Sequence, residues 1–240
     1  MRPIDNNRNI MLQGNYNHRN NHITDQFDLT VASGQFSYNW GLNSNLRYSH
    51  ALRVQLVELA KRKFQNSATF LNSIQRIGSN GWSQSLTGAY TMVRYATGQN
   101  ANANLRDINQ FLVSGVITKS SNRNQLNTSV FWGDDDIQSS IGKNNETQFV
   151  GLALSDQYLL RPQHLLYGRL SVQINDHGAP DPIFSLTRTN STSSASIGWI
   201  WQLNSNLTLT TDFTYSDNES NIDLYSWDRN RLQTGLRIQF

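Results

Sequence analysis

The chain has 240 residues, of which 37% are hydrophobic and only 15% are charged, and the balance is rich in Asn, Ser, Thr and Gln. No apolar run approaches the roughly 18 residues that a membrane-spanning helix needs, which excludes a helical inner-membrane protein. The formal net charge is +3, but Lys and Arg cluster only at Lys61-Arg62-Lys63, so we expect no nucleic-acid partner.

Alternation of apolar and polar residues predicts β-strands from the N-terminal half onward. Between Phe27 and Trp40 the alternation changes parity near Ser33-Gly34, which predicts a β-bulge at that point. The next segment, Leu46 to Leu56, alternates apolar residues with Arg47, Ser49, Arg53 and Gln55. It is predicted as a strand, although residues 51–63 are also compatible with an amphipathic helix.

The C-terminal half repeats this two-residue period more clearly. In the last segment, Leu232, Thr234, Leu236, Ile238 and Phe240 alternate with Arg231, Gln233, Gly235, Arg237 and Gln239. A strand with two such different faces separates water from lipid or from a core. The same pattern predicts strands over residues 126–132, 166–174, 194–203 and 207–216.

The connections between these segments alternate in length. Short turns rich in Gly, Asn and Ser are predicted at residues 41–45, 78–81, 121–124, 161–164 and 204–206. Longer polar loops are predicted near residues 18–26, 61–68, 97–106, 135–146, 176–192 and 217–228. Five turns and six loops join twelve strands, a pattern typical of transmembrane barrels. We therefore predict an all-β fold, an antiparallel up-and-down transmembrane β-barrel of about twelve strands with short periplasmic turns and longer extracellular loops.

Aromatic residues favour the membrane barrel over a soluble β-sandwich. Amphipathic rings prefer the two interfaces of a bilayer, whereas a sandwich gathers its rings in the middle of the strands. Five aromatic residues near predicted strand ends are candidates for an aromatic girdle: Trp40, Trp82, Trp132, Trp201 and Tyr215. We predict a location in the outer membrane of a Gram-negative bacterium, with residues 1–8 as an N-terminal periplasmic extension and residues 9–240 as the barrel.

One seven-residue motif occurs twice. The sequence Trp40-Gly-Leu-Asn-Ser-Asn-Leu46 is echoed by Trp201-Gln-Leu-Asn-Ser-Asn-Leu207. Because the flanking sequences do not repeat, this is not an internal repeat of the chain. The echo predicts that two hairpins use the same turn.

The last hairpin carries a family resemblance. Residues 216–231, with the pattern SN-x-x-LY-x-x-DRNR followed by the alternating run to Phe240, resemble the ends of outer-membrane barrels attached to tetratricopeptide domains. Exopolysaccharide-export porins and surface lipoprotein assembly modifiers are two such families. The resemblance implies an outer-membrane barrel, with Leu236, Ile238 and Phe240 forming the C-terminal signal that the barrel-assembly machinery reads.

Strand parity turns basic side chains to the face opposite the apolar one. The predicted lumen-lining residues are Arg47, Arg53, Arg169, Arg231 and Arg237, with Asp212 as the inward acid. Basic residues along a narrow passage favour anions or acidic saccharides. The alternative is that these arginines pair with Asp212, Asp228 or backbone carbonyls and fill a small barrel.

Catalytic and metal sites receive little support. His50 follows Ser49, but parity turns His50 toward lipid, so it is interpreted as a surface histidine. Asp134-Asp135-Asp136 is a candidate for calcium, although such clusters are common at solvated loop ends. With no cysteine in the chain, thiolate chemistry is excluded. We predict neither catalytic residues nor a metal or other cofactor.

These features predict a porin-like conduit for anionic or saccharide solutes or for exported polymer. A barrel module for the secretion or assembly of a protein or lipoprotein is the main alternative, and an outer-membrane hydrolase is a weaker one. The expected partners are outer-membrane lipid including lipopolysaccharide, the barrel-assembly machinery and an anionic or saccharide substrate.

Overall fold

A computed structural model describes residues 2–5, 7–20, 28–97 and 103–239. Within these ranges the chain forms thirteen β-strands that pair in chain order. The strands are β1 (Arg2–Asp5), β2 (Arg8–Arg19), β3 (Leu29–Gly41), β4 (Leu46–Leu59), β5 (Arg62–Ile77), β6 (Trp82–Tyr95), β7 (Ile108–Ser120), β8 (Asn124–Ile137), β9 (Thr147–Arg161), β10 (His164–Pro180), β11 (Thr187–Gln202), β12 (Leu207–Ser220) and β13 (Trp227–Ile238). Short 3₁₀ helices occupy Ala103–Arg106, Ser140–Asn145 and Asp223–Tyr225. None of the helices in these ranges is long and apolar enough to cross a membrane.

The strands belong to two compact units. The first comprises residues 1–76, 85–113 and 133–148, and the second comprises residues 77–84, 114–132 and 149–240. In the first unit, β2, β3, β4 and β5 form an antiparallel meander that begins with Arg8 paired to Trp40. In the second unit, β10, β11, β12 and β13 form another meander, whose last pair is Leu207 with Ile238.

The predicted fold class is confirmed. The up-and-down antiparallel order contains the twelve expected long strands, β2 to β13, and the four-residue β1, which pairs with β2. Short turns of two to four residues, such as 162–163 and 203–206, alternate with longer connections, such as 138–146 and 221–226. The assignment of residues 1–8 as a periplasmic extension stays a prediction.

Two local predictions are wrong, and one open alternative is excluded. No bulge occurs at Ser33-Gly34, because β3 keeps one continuous register with both β2 and β4 from Leu29 to Trp40. The helical alternative over residues 51–63 is also excluded, since these residues form β4 and the start of β5. The loop predicted near residues 61–68 is instead a tight hairpin, and β5 begins at Arg62.

The two-residue turn of that tight hairpin contains neither asparagine nor glycine. Ala60 and Lys61 both have left-handed backbone conformations, with φ of 52° and 60°. Two-residue hairpin turns of this kind favour Asn-Gly, because other residues pay a steric penalty at positive φ. The chain therefore places a lysine where glycine is the less strained choice.

Three of the other predicted loops, at residues 135–146, 176–192 and 217–228, are shorter than expected because the strands continue into them. Strand β8 runs through Asp134-Asp135-Asp136 to Ile137, and β10 runs through Asp176-His177 to Pro180. Strand β12 likewise extends to Ser220. Polar composition indicated loops here, but a strand can extend beyond the membrane with polar residues on both faces.

The repeated motif adopts the same turn twice. The backbone N–H of Asn45 donates to Asn43 Oδ1 at 2.9 Å, and that of Asn206 donates to Asn204 Oδ1 at 2.9 Å. The N–H groups of Leu42 and Leu203 donate to the carbonyls of Leu46 and Leu207, each at 2.9 Å. An Asn side chain that closes a turn onto its own backbone explains why both hairpins use this sequence.

Two glycines permit inward-facing rings to lie flat on a neighbouring strand. A Cβ at Gly151 would overlap the ring of Phe131, and a Cβ at Gly198 would overlap the ring of Tyr167. By contrast, a Cβ at Gly115 would meet no atom within 4 Å. The packing of Tyr167 therefore depends on the absence of a side chain at residue 198.

We expect Gly198→Ala to destabilise the folded protein by about 1–3 kcal/mol, because the added methyl group forces the Tyr167 ring out of its position. The measurement is the urea midpoint of the detergent-folded protein, followed by heat-modifiability on a gel. Gly115→Ala is the matched control and leaves the free energy of unfolding within about 0.5 kcal/mol of the wild-type value. Equal midpoints for the two variants would refute the close packing, and Tyr167→Ala in the Gly198→Ala background should restore stability.

Candidate functional site

The two faces of each meander differ sharply in chemistry. On one face, large apolar side chains are exposed, among them Leu52, Phe70, Val172 and Leu232. Strand pairing aligns these side chains across neighbours, as in Leu52 with Phe70 and Phe213 with Leu232. We call this the outward face and the opposite one the inward face.

The inward face of the first unit is a polar surface with a cavity of about 460 Å³. Arg53 lines this cavity, and its register partners are Gln35 and Thr69. Hydroxyl and amide groups bond across the strands: Ser49 Oγ and Ser73 Oγ lie 2.7 Å apart, and Asn39 Nδ2 donates to Asn9 Oδ1 at 2.9 Å. Arg47 lies on the same face near the short turn, opposite Gln75.

The inward face of the second unit contains a cavity of about 500 Å³. Arg169 and Arg231 line it in one cross-strand row, which runs Arg169, Ser196, Thr214, Arg231. At the usual strand spacing, the two arginine backbones lie roughly 14 Å apart. The adjacent row contains Tyr167, Gly198 and Asp212, so the Tyr167 ring lies across Gly198 beside the aspartate. The cavity thus presents two cations, Asp212 and an aromatic ring, with Asp156 also in its lining.

Within the part of the chain that the structure describes, the arginines of this cavity are not neutralised by direct ion pairs. No carboxylate oxygen of the described residues lies within 4.0 Å of the guanidinium nitrogens of Arg169 or Arg231. Across the described residues of β2–β5 and β10–β13, Asp212 is the one carboxylate on the inward face. Arg47, Arg53, Arg229 and Arg237 share that face with the two cavity arginines. The inward face is therefore basic.

The candidate girdle residues lie on the outward face, with Trp40, Trp82 and Trp201 at or next to strand ends and Trp132 and Tyr215 five residues from the ends of β8 and β12. Trp40 is covered by the Arg8 guanidinium at 5.4 Å, and Trp82 by the Lys119 ammonium at 4.8 Å. Trp201 stacks on Trp199 and His164, with ring centroids 5.5 Å from each. Trp132 and Tyr215 are exposed near the longer connections. Their role at a lipid interface stays a prediction.

The C-terminal signal can be located in part. Leu236 and Ile238 are exposed on the outward face of β13, whereas Phe240 lies outside the described residues. Recognition of this segment by the barrel-assembly machinery stays a prediction.

The structure keeps the side chains of the Ser49-His50 pair apart and divides the aspartate cluster between two faces. Ser49 faces inward and bonds to Ser73, while His50 faces outward and bonds to Asn72 through Nδ1, so the two side chains do not meet. In the aspartate cluster, Asp136 binds Lys143, whereas Asp135 accepts a hydrogen bond from Gln110 at 2.7 Å on the other face. Over the described ranges, no three His, Cys, Asp or Glu side chains converge as a metal site.

A network of contacts at the longer-loop end of the second unit was not predicted from the sequence. Tyr225 Oη donates to Asp181 Oδ2 at 2.7 Å, and the N–H groups of Ile183 and Phe184 donate to Asp181 Oδ1 at 2.9 and 3.2 Å. The Arg188 guanidinium lies 4.1 Å from the Tyr225 ring centroid. This latch joins the connection after β10 to the one after β12.

The hydrogen bond from Tyr225 is the main reason that the pKa of Asp181 lies below its usual 3.8, and the backbone N–H donors lower it further. The same bond raises the pKa of Tyr225 above 10.0, because it holds the phenol proton. A carboxylate whose pKa is lowered by folding stabilises the fold at pH values above its unfolded pKa. A phenol whose pKa is raised by folding stabilises the fold at pH values below its unfolded pKa. The latch is therefore intact between pH 3.8 and 10.0 and weakens as the pH falls below that range.

Comparison with known proteins agrees with this architecture. A family model described as "Putative beta-barrel porin 2" matches residues 81–240. No curated protein matches the chain.

Solved structures share the fold at low identity. OmpT, an outer membrane protein of Vibrio cholerae, is 8% identical with a TM-score of 0.50 over 97% of this chain and 95% of that one. A bacterial polysaccharide outer membrane secretin is 9% identical with a TM-score of 0.50, over 99% and 87%. The siderophore receptor PirA from Pseudomonas aeruginosa is 11% identical with a TM-score of 0.50, and 98% of this chain covers 59% of that receptor. These likenesses show an outer-membrane barrel fold.

We expect Tyr225→Phe to open the latch, because it removes the hydrogen bond that the phenol donates to the Asp181 carboxylate. Chymotrypsin should then cut after Phe184 or Leu186 roughly ten times faster at pH 7.5. Tyr215→Phe, on the outward face, is the matched control and should not change the rate. In the wild-type chain, amide protection at Ile183 and Phe184 should persist at pH 5 and fall below pH 3.8. Protection that is independent of both Tyr225 and pH would contradict the latch.

Proposed function

The chain belongs to the Putative beta-barrel porin 2 family, and we propose that it is a passive outer-membrane conduit for anionic or saccharide solutes, acidic polymers included. The coarse function follows from the family and the fold: a porin-like β-barrel channel in the bacterial outer membrane. The choice of solute is the proposal, as is the view that the barrel is not an enzyme.

The observation that carries the proposal is the charge of the inward face. Arg169 and Arg231 stand in one row with Ser196 and Thr214 between them, without an ion pair among the described residues. A cation held in a narrow, low-dielectric passage attracts anions more strongly than it does in bulk water. Asp212, two residues along β12 from Thr214 in this row, limits how far the positive potential extends.

The remaining lining of this cavity suits a solute with many hydroxyl groups. Its side chains include the donors and acceptors Asn127, Ser129, Ser155 and Gln157, together with the Tyr167 ring. Short hydroxyl and amide groups can exchange hydrogen bonds with sugar hydroxyls, and an aromatic ring can pack against a sugar's apolar face. Passage of neutral saccharide therefore fits the same surface as passage of anions.

We expect planar-bilayer currents through the wild-type protein to be anion-selective, since the inward face is basic. Arg169→Gln combined with Arg231→Gln should lower the chloride-to-potassium permeability ratio by roughly a factor of two or more. Asp212→Asn should raise that ratio. The control is Arg76→Gln on the outward face, which should leave the ratio unchanged.

Cation selectivity in the wild type, or a ratio that responds equally to Arg76→Gln, would refute the anion conduit. A barrel that stays electrically silent and retains a periplasmic protein would favour the assembly module. Cleavage of phospholipid or peptide that His50→Ala abolishes would favour a hydrolase.

A further inference from the structure

Of the six tryptophans of the chain, all of which the structure describes, Trp227 alone lies on the inward face. It begins β13, and its register partner is Asn218 on the inward face of β12. The outward face carries the other five, which are Trp40, Trp82, Trp132, Trp199 and Trp201. Trp227 is 47% exposed and lies at the longer-loop end, which is the extracellular end of an outer-membrane barrel. Its ring therefore belongs to the wet surface of the mouth and not to a lipid interface.

The rest of the described chain leaves this ring uncovered. A cation covers each of Trp40 and Trp82, and Trp199 and Trp201 stack on each other with ring centroids 5.5 Å apart. Among the described side chains, no ring or cation stacks on Trp227. Because removing a large aromatic surface from water is favourable, this ring offers a packing surface to an incoming solute.

Contacts around Trp227 hold its backbone in place. Its register partner Asn218 is buried, with a side-chain amide that donates to the Tyr225 carbonyl at 2.7 Å. Asn218 Oδ1 accepts a hydrogen bond from Thr192 Oγ1 at 2.7 Å. The latch between Tyr225 and Asp181 thus ends two residues before the tryptophan. A binding group that is fixed before the ligand arrives loses less conformational entropy on binding.

Two cations follow the tryptophan on the same face of the same strand. Arg229 and Arg231 lie two and four residues after Trp227, or roughly 7 and 14 Å along β13. No carboxylate of the described residues forms an ion pair with either arginine. The nearby acids Asp217 and Asp228 are register partners of each other on the outward face. The guanidinium groups can therefore bind an incoming carboxylate through paired hydrogen bonds.

The strands beside these residues add only hydroxyl and amide groups. The row of Arg229 continues across β12, β11 and β10 with serine alone, as Ser216, Ser194 and Ser171. The row of Trp227 continues with Asn218, Thr192 and Gln173. Such groups exchange hydrogen bonds with ligand hydroxyls. The surface thus suits a ligand that combines an apolar face, a negative charge and many hydroxyl groups.

We propose that Trp227, Arg229 and Arg231 form an entry subsite for an acidic sugar, a pyranose that carries a carboxylate. The Trp227 ring packs against the apolar face of the pyranose, and the Arg229 guanidinium donates to its carboxylate. Arg231 binds the acidic group of a following sugar and belongs also to the cavity that contains Arg169. The subsite rests on the proposed conduit function and narrows its solute to a sugar that is also an anion.

The test is calorimetric binding of trigalacturonate to the detergent-folded protein, with maltotriose as the neutral trisaccharide. We expect Trp227→Ala to raise the Kd for trigalacturonate roughly fivefold, because the packing of the ring is lost. Trp227→Phe keeps an aromatic ring and should stay within about twofold of the wild type. Arg229→Gln should raise the Kd roughly tenfold, because a charge-assisted hydrogen bond is lost. Maltotriose should bind at least roughly tenfold more weakly than trigalacturonate.

Two matched controls keep the subsite intact. Trp132→Ala removes a tryptophan from the outward face, and Arg237→Gln removes an inward cation from the other end of β13. Both should leave the Kd for trigalacturonate unchanged. Heat-modifiability on a gel shows that each variant is folded.

A Kd that Trp227→Ala leaves unchanged, or that Trp132→Ala raises equally, would overturn the subsite. Equal affinity for maltotriose and trigalacturonate would overturn the acidic sugar as its ligand. Ion selectivity is a separate readout, so the two proposals can fail independently. Anion-selective currents with binding that ignores Trp227 would refute the subsite alone, and binding that needs Trp227 with cation-selective currents would refute the anion conduit alone.

Discussion

The structure depends on one constraint: the hydrocarbon interior of a bilayer offers no partner to a backbone N–H or C=O group. Each crossing segment must therefore pair with its neighbours, and successive side chains meet lipid and the barrel interior in turn. This arrangement explains why Leu232 and Phe70 are exposed, while few large apolar side chains are buried anywhere in the described ranges. The apolar residues stabilise the protein from its outward face, and the inward face is left to polar and charged groups.

Strand parity was enough to predict the faces of β12 and of β13 from Leu232 onward, since every apolar residue there is outward. It failed at residues 27–40 because Leu29 and Val31 face inward, where they pair with Leu59 and Val57. The prediction assumed that every apolar residue faces lipid. The register with the partner strand shows that these two residues face the interior instead. It also failed at Lys61-Arg62-Lys63, where charge indicated a loop but the residues form a hairpin tip.

The candidate site shows the same limit. Parity turned Arg169, Arg231 and Asp212 inward, but their shared location requires the register of four strands, which sequence alone does not give. Tyr167 was on the correct face, yet its position depends on Gly198, a residue with no signal of its own. The latch joins Asp181 to Tyr225, which are 44 residues apart, and no local pattern links them. The basic inward face and the apolar outward face thus both follow from the same alternation.

The most direct test of this account is a cysteine scan of β12, because the native chain contains no cysteine. Single cysteines at each position from Leu209 to Thr214 are introduced, and the protein is folded into liposomes. Residues 210, 212 and 214 should react with a charged, water-soluble thiol reagent, while residues 209, 211 and 213 should be reached only by a lipid-soluble one. Uniform reactivity along the strand, without a two-residue period, would contradict the division between a lipid face and a wet interior.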